Sequence, residues 1–236
     1  MVIKMNLTKV RIDTIPAILW GDAGDKIIIA AHGSHSSKID DCMWVLAEEA
    51  VKKGYQVLTF DFPQHGERVY ETERLMPNEC VRELEAMYSY AKNCAKSVSV
   101  FGCSMGAYFQ LLAYADFAID RAWFLSPVTD MERIIRNLMA YCHVSEEEFR
   151  ERVTVENDIE TLYYPYYTYV KSHPITKWGH ETYILRGEQD TLCEYEAVRQ
   201  FADTFQCELT QQKEGEHWFH TTAQLEFFRA WLRERL

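Results

Sequence analysis

The stretch SVSVFGCSMGAYFQ, residues 97–110, contains the clearest structural signal in the sequence. It begins with a short apolar run, continues through Gly102, Ser104 and Gly106, and ends in residues suited to a helix. A tight turn from strand to helix forces unusual backbone angles and brings chain segments close together, which small neighbouring residues permit. The pattern therefore predicts that Ser104 lies at a sharp turn between a buried strand and a helix, with its hydroxyl exposed above the sheet.

Short apolar runs of this kind recur along the chain, and segments with helical spacing lie between them. The runs are nearly continuous rather than alternating, which is typical of parallel strands buried on both faces: IIIAA (27–31), VLTF (57–60), VSVF (98–101), AWFL (122–125) and YIL (183–185). The helical patterns cover 42–53, 77–94, 194–205 and 221–236. This alternation predicts an α/β fold whose site is formed by loops at the carboxyl ends of the strands.

Two segments do not fit the alternation. Residues 1–20 resemble two edge strands, and residues 129–179 form a long insertion between the fourth and fifth apolar runs. The insertion contains a capping-box-like start at Ser145 and the aromatic tract YYPYYTY (163–169). A chain of 236 residues suits one domain. We therefore expect a single domain over 1–236, with 129–179 as a lid or binding wall.

Composition excludes several classes of function. The net charge of −11 argues against a nucleic-acid surface, which needs a basic patch. The apolar runs are too short to cross a membrane, and the first residues show no secretory signal pattern. Seven cysteines without a Cys-x-x-Cys pair favour free thiols and make a structural zinc site an unattractive interpretation. The expected location is the cytoplasm.

The turn at Ser104 is also a chemical signal, because Gly-x-Ser-x-Gly between a strand and a helix is the nucleophile-elbow pattern. A serine hydroxyl is a weak nucleophile without a base, and the base needs an acid that orients it. Asp190 follows the apolar run 183–185, and His217 follows a later glycine turn. Both lie downstream of Ser104 in the order that this pattern requires, so they are the predicted acid and base.

Each of these assignments has a rival. His220 competes with His217 for the role of base, and Asp130 and Glu188 compete with Asp190 for the role of acid. Asp130 is the stronger of the two, because it follows the strand that ends at LSPV. A metal site built on the two histidines lacks obvious further ligands, so no metal is expected.

The negative charge that develops on a substrate carbonyl needs two N–H donors. One is expected from Met105, directly after the nucleophile, and the other from Ser34 in the loop AAHGSHSS (30–37). Gly33 permits close approach of that backbone, whereas His32 is interpreted as a residue that shapes the loop. Loss of one such donor lowers kcat by about 10²–10³-fold.

Over most of its length the chain resembles the α/β-hydrolase superfamily. The resemblance rests on five motifs in order, which together are more specific than any one of them: HG (32–33), DFPQHGER (61–68), GCSMG (102–106), GEQD (187–190) and EGEHWF (214–219). It implies an eight-stranded, mostly parallel sheet and a serine acyl-enzyme mechanism, and it implies no cofactor. Asp61, His65 and Gly66 are interpreted as residues that fix their loop.

These observations lead to a serine hydrolase that acts on a small-molecule carboxylic ester or thioester of a small to medium acyl group, with neither nucleic acid nor membrane as partner. Substrate contacts are expected from Tyr163, Tyr164, Tyr166 and Tyr167 of the aromatic tract. A peptidase or C–C hydrolase with the same triad, and a non-catalytic ligand-binding protein, are the alternatives. A thiol enzyme based on Cys103 is disfavoured, because that side chain should point away from the site.

Overall fold

The computed structural model of the protein describes residues 5–236, in which strands and helices alternate along most of the chain. The strands are β1 (Leu7–Ile12), β2 (Ile15–Trp20), β3 (Lys26–Ala31), β4 (Tyr55–Phe60), β5 (Ser97–Cys103), β6 (Arg121–Leu125), β7 (Thr154–Val155), β8 (Leu162–Tyr163), β9 (Glu181–Gly187) and β10 (Glu208–Gln212). The helices are α1 (Asp41–Lys52), α2 (Pro77–Cys94), α3 (Met105–Ala113), α4 (Met131–Tyr141), α5 (Glu146–Arg152), α6 (Tyr164–Ser172), α7 (Tyr195–Phe205) and α8 (Thr222–Arg235).

Eight of these strands form one sheet in the order β1-β2-β4-β3-β5-β6-β9-β10. The pairs β1–β2 and β2–β4 are antiparallel, and all other pairs are parallel. The five predicted strands are confirmed as β3, β4, β5, β6 and β9, and the predicted helices correspond to α1, α2, α7 and α8.

One expectation about the sheet edges is wrong. Residues 1–20 were expected to form two edge strands, but β2 is an inner strand that pairs with both β1 and β4. All six of its residues are buried, which explains its apolar sequence IPAILW. The edges are β1 and β10. Residues 1–4 of that segment lie outside the described residues.

Helices cover both faces of the sheet. The core on one face includes residues of α1 and α8, and the core on the other includes residues of α2, α3 and α7. Strand β3 shows why the apolar runs are continuous, since Ile27 and Ile29 face one core while Ile28 and Ala30 face the other. Among the helices of residues 5–236, none has the length and apolar character needed to span a membrane.

The buried residues of the insertion at 129–179 continue the core on the face of the sheet that α2, α3 and α7 cover. It contains α4, α5, the two-stranded pair β7–β8 and α6. The predicted capping box is present, because the Ser145 hydroxyl accepts from the Glu148 amide at 3.2 Å and the Glu148 carboxylate accepts from the Ser145 amide at 2.9 Å. Phe149 of α5 is fully buried against aromatic residues of α6. The insertion is therefore a folded layer rather than a bare loop.

A buried ion pair joins the loop after β4 to α2. The guanidinium of Arg68 donates two parallel hydrogen bonds of 2.7 Å to the carboxylate of Glu83, and it also donates to the carbonyl of Asp61 at 3.0 Å. Burial acts to lower the pKa of Arg68, but its hydrogen bonds to the carboxylates of Glu83 and Glu71 outweigh that effect and raise the pKa overall. Arg68 is therefore charged and holds the loop against α2.

We expect Glu83→Ala to lower the free energy of unfolding by about 3–5 kcal/mol, because removal of one partner leaves a buried guanidinium without its carboxylate. Glu79→Ala is the matched control on the same helix, since Glu79 pairs with Arg82 at the surface and such pairs contribute about 0–1 kcal/mol. Urea unfolding of both variants measures the difference. Equal losses would show that the pair with Arg68 does not stabilise this loop.

Candidate active site

Ser104 joins the end of β5 to the start of α3. Its backbone has φ 51° and ψ −118°, a conformation that a residue with a β-carbon adopts only where the surrounding structure holds it. The Ser104 amide donates to the Leu125 carbonyl at 3.0 Å, and the Ser104 carbonyl accepts from the Ala107 amide at 3.1 Å. These bonds to β6 and α3 stabilise the sharp turn that the sequence predicted.

The two glycines beside Ser104 leave no room for side chains. A β-carbon at Gly102 would lie 2.5 Å from the α-carbon of Ala107, and one at Gly106 would overlap the carbonyl oxygens of Ala31 and His32. The first turn of α3 thus packs directly against the ends of β3 and β5. This contact explains why the motif needs the smallest residue on both sides of the serine.

Ser104, His217 and Asp190 form a continuous hydrogen-bonded chain. The distance from Ser104 Oγ to His217 Nε2 is 2.8 Å, and that from His217 Nδ1 to Asp190 Oδ2 is 2.9 Å. The Asp190 side chain is fully buried, whereas 23% of the His217 side chain is exposed. When Nδ1–H donates to the carboxylate, Nε2 accepts the serine hydroxyl proton, which is the arrangement a general base needs.

The loop after β9 holds Asp190 in place. Its Oδ1 accepts from the amides of Leu192 at 3.0 Å and Cys193 at 2.8 Å. Buried Arg186, at the end of β9, donates to the carbonyls of Asp190 at 2.7 Å and Cys193 at 2.9 Å. Arg186 was not among the predicted site residues, although a charged residue at the end of an apolar strand is a usable signal.

The rivals for the triad lie elsewhere. Asp130 caps α4 by accepting from the Arg133 amide at 3.0 Å, and Glu188 is exposed in the loop after β9. His220 hydrogen-bonds the Trp218 carbonyl through Nδ1 at 2.8 Å. The geometry therefore favours His217 and Asp190.

The loop after β3 approaches the serine. Buried His32 accepts from the Phe62 amide at 3.1 Å through Nε2 and donates to the Gly33 carbonyl at 2.7 Å through Nδ1. Burial lowers the pKa of His32 to about 4, so the ring is neutral and shapes the loop. A β-carbon on Gly33 would lie 3.2 Å from the Ser104 β-carbon. Within residues 5–236, neither the Ser34 amide nor the Met105 amide donates a hydrogen bond, so both predicted oxyanion donors are free.

The loop after β4 is fixed as expected. Buried Asp61 accepts from the amides of Lys38 at 2.8 Å and Glu67 at 2.9 Å, and it also pairs with the Lys38 ammonium. Gly66 has φ 51°, and a β-carbon there would overlap the Asp61 carboxylate. His65 is held by a 2.8 Å bond between Nδ1 and the Pro63 carbonyl. These contacts give the loop a defined shape beside the serine.

A cavity of about 730 Å³ opens above Ser104. Its walls come from the loops after β3 and β4 and from the insertion, so residues of 129–179 border the space above the serine. Helix α4 lines it with apolar residues at positions i, i+3, i+4 and i+7, a helical pattern that was readable in the sequence but was overlooked: Met131, Ile134, Ile135 and Leu138.

The four tyrosines of the tract that were expected to contact substrate divide into two pairs. Tyr163 and Tyr166 line the cavity. Tyr164 and Tyr167 do not, because their rings lie 5.3 Å and 5.9 Å from that of Phe149 in the insertion. Their predicted contact with substrate is therefore corrected to a packing role, while that of Tyr163 and Tyr166 stays a prediction.

One group of side chains in the described part of the chain has the spacing of metal ligands, and it overlaps the candidate triad. Ligand atoms of Asp190, Cys193 and His217 lie within 4.8 Å of one another. The Asp190 carboxylate already accepts from two amides and from His217, and the Cys193 thiol contacts the Ser126 carbonyl at 3.6 Å. These contacts explain the cluster as a hydrogen-bonded network.

Comparison with known proteins agrees with this architecture. A family model described as an alpha/beta hydrolase domain matches residues 24–125, which include β3 to β6 and the Ser104 turn. Among curated proteins, none matches the sequence.

Solved structures are similar over nearly the whole chain. Est1E from Butyrivibrio proteoclasticus, with ferulic acid bound, has a TM-score of 0.78 at 20% identity and covers 96% of both chains. Alpha/beta hydrolase domain-containing protein 10 from mouse has a TM-score of 0.78 at 13% identity, with 97% of both chains covered. The Pyrococcus furiosus esterase Pf2001 has a TM-score of 0.70 at 21% identity and covers 98% of this chain and 90% of its own. The chain has the α/β-hydrolase fold, and the predicted resemblance to that superfamily is confirmed.

Labelling with a fluorophosphonate probe tests the assignments within the triad. We expect His217→Ala and Asp190→Asn to slow labelling of Ser104 by at least about 10³-fold, because the hydroxyl loses its base or the base loses its orienting partner. The matched controls, His220→Ala and Asp130→Asn, should label at the wild-type rate. Slow labelling of a control and not of its partner would move that role to the rival residue.

Proposed function

We propose that the protein is a serine hydrolase that cleaves carboxylic esters, or thioesters, of small to medium acyl groups through an acyl-enzyme on Ser104. The observation that supports it most strongly is the hydrogen-bonded chain from Ser104 through His217 to buried Asp190, at 2.8 and 2.9 Å, with the serine open to the cavity. Such a chain is what a hydroxyl needs to act as a nucleophile at neutral pH.

In the first half of the proposed reaction, Ser104 Oγ attacks the substrate carbonyl carbon while His217 Nε2 takes its proton. The carbonyl oxygen gains the negative charge and receives hydrogen bonds from the amides of Ser34 and Met105. Asp190 stabilises the imidazolium that forms. Collapse of the tetrahedral intermediate breaks the bond to the leaving group, which takes the proton from His217 and departs as an alcohol or thiol.

In the second half, water enters where the leaving group was. His217 removes a proton from the water, and the water oxygen attacks the acyl carbon. The same two amides donate hydrogen bonds to the oxyanion that forms. The bond to Ser104 Oγ then breaks, and the proton returns from His217 to the serine. The products are a carboxylic acid and the regenerated enzyme, with no redox change.

The cavity supports an acyl group that is apolar and limited in length. The apolar wall of α4 runs from Met131 to Leu138, which at the rise of a helix is about 10 Å, much shorter than an extended long-chain fatty acid. Tyr163 and Tyr166 add aromatic surface with polar hydroxyls. The similarity to Est1E, solved with ferulic acid, makes arylacyl esters part of this proposal.

Hydrolysis of p-nitrophenyl esters by Ser104→Ala tests the mechanism. We expect kcat to fall by at least about 10⁴-fold, because the nucleophile is lost while the cavity remains. Cys103→Ser is the matched control, since the Cys103 side chain packs toward the opposite face of the sheet, and it should keep wild-type activity.

Activity of the wild-type protein on other substrate classes separates the alternatives. Faster cleavage of aminoacyl amides than of esters would indicate a peptidase, and cleavage of a C–C bond would indicate a C–C hydrolase that uses the same triad. A protein that binds esters without turnover would be a ligand-binding protein. Turnover that survives in Ser104→Ala would contradict the proposed nucleophile.

The length of the preferred acyl group is a separate prediction. Esters with acyl chains of two to about six carbons should be better substrates than longer ones, with a margin near 0.8 kcal/mol for each methylene that does not fit. The measurement is kcat/KM along a p-nitrophenyl series from acetate to palmitate, with phenylacetate as the arylacyl member. A steady rise toward palmitate would indicate a lipase-like groove instead.

A further inference from the structure

Glu160 connects the insertion to the loop that approaches the nucleophile. Its Oε2 accepts a hydrogen bond of 3.0 Å from the Ser34 hydroxyl and lies 3.3 Å from Nε2 of His35. These contacts join residues that are more than 120 positions apart in the chain. They link the insertion to the residue whose amide is a predicted oxyanion donor.

The backbone around Glu160 is held by Asn157. The Asn157 side-chain oxygen accepts from the amides of Ile159 at 2.8 Å and Glu160 at 3.0 Å, and its amide group donates to the Glu160 carbonyl at 2.6 Å. The chain enters β8 two residues later. Glu160 therefore lies in a turn that is already ordered by Asn157. Its contacts with the loop after β3 then cost less conformational entropy, because the backbone has less freedom to lose.

The loop on the receiving side adopts an unusual backbone conformation. His35 has φ 55°, which costs free energy for any residue with a β-carbon. Its side chain and that of Ser34 bind the same carboxylate oxygen of Glu160, so the turn is held at two points. The Ser34 amide, free of other hydrogen bonds within residues 5–236, lies between these contacts and Gly33, which packs against Ser104.

We infer that Glu160 is a positioning residue: when the insertion covers the site, its carboxylate holds Ser34 and His35 so that the Ser34 amide points at the developing oxyanion. The inference rests on the proposed function. Because 46% of the Glu160 side chain and 74% of the His35 side chain are exposed, the contacts contribute little to global stability. Their effect should instead fall on the transition state, since the oxyanion forms only there.

The test compares Glu160→Ala with Glu160→Gln in the full chain. Glu160→Ala should lower kcat on p-nitrophenyl butyrate about tenfold, with little change in KM or melting temperature. The Ser34 amide would be displaced but still present, so it would lose only part of its stabilisation of the oxyanion. Glu160→Gln keeps an oxygen that accepts from the Ser34 hydroxyl, so it should recover part of the loss. Glu156→Gln, an exposed acidic residue on the same segment, is the control for loss of charge alone.

Two further measurements separate positioning from direct substrate contact. A trifluoromethyl ketone forms an oxyanion on the serine, so Glu160→Ala should weaken its inhibition by about the same factor as kcat. The double variant Ser34→Ala, Glu160→Ala should have a kcat only slightly lower than that of the more affected single variant, because both substitutions remove the same hydrogen bond.

Several outcomes would overturn the inference. A change in KM alone would show that Glu160 contacts the substrate. An equal loss of kcat in Glu156→Gln would show that the effect comes from the change in net charge and not from the position of Glu160. A rise in kcat would show that the carboxylate repels the oxyanion. These results differ from failure of the proposed function, in which the wild-type protein neither hydrolyses esters nor reacts at Ser104.

Discussion

The whole site depends on the backbone of Ser104, a residue with a β-carbon held at positive φ. That conformation persists because its neighbours fix it from two sides. The Leu125 carbonyl of β6 accepts a hydrogen bond from the Ser104 amide, and α3 packs closely against β3 and β5 because Gly102 and Gly106 have no side chains. This conformation raises the serine side chain above the sheet and starts α3 directly after it, so the Met105 amide has no hydrogen-bond acceptor among residues 5–236. A relaxed turn would remove both the candidate nucleophile and one predicted oxyanion donor from the cavity.

The order of the strands explains how distant residues reach that serine. Strand β5 lies between β3 and β6, and β9 and β10 follow in parallel, so the loops after all of them meet at one edge of the sheet. The loops after β9 and β10 are also joined, since the Gln189 amide donates to the Gly215 carbonyl at 2.8 Å. The acid and the base of the candidate triad are therefore positioned by the sheet and by each other.

The fold and the candidate triad could be predicted because their signals can be read directly from the sequence. Continuous apolar runs, glycine turns and the order of Ser104, Asp190 and His217 all appear in the sequence without knowledge of tertiary contacts. The division of the tyrosine tract could not be predicted in this way. Tyr164 and Tyr167 lie three apart in α6 and therefore share a face. Tyr166 lies on another face of α6, and Tyr163 ends β8 directly before the helix, so the two pairs are separate. Which pair faces the cavity depends on where Phe149 packs, and that is a tertiary contact.

The inner position of β2 was hidden for a similar reason. Its six buried residues are compatible with an inner strand or with an edge strand that other elements cover. The pairing with β4 shows that it is an inner strand. Other contacts overlooked in the sequence, such as the buried Arg68–Glu83 pair, also join segments whose proximity only the folded chain reveals.

The two acidic residues considered for the triad show how similar positions acquire different tasks. Asp130 follows β6 and Asp190 follows β9, which are neighbouring parallel strands. Asp130 caps the helix that forms the apolar wall of the cavity, a contact that contributes about 0.5–2 kcal/mol to a helix. Asp190 is fully buried, and its carboxylate accepts two amides on one oxygen and His217 on the other. The first carboxylate thus shapes the wall of the cavity, and the second orients His217, so exchanging their positions would require α4 to lose its cap.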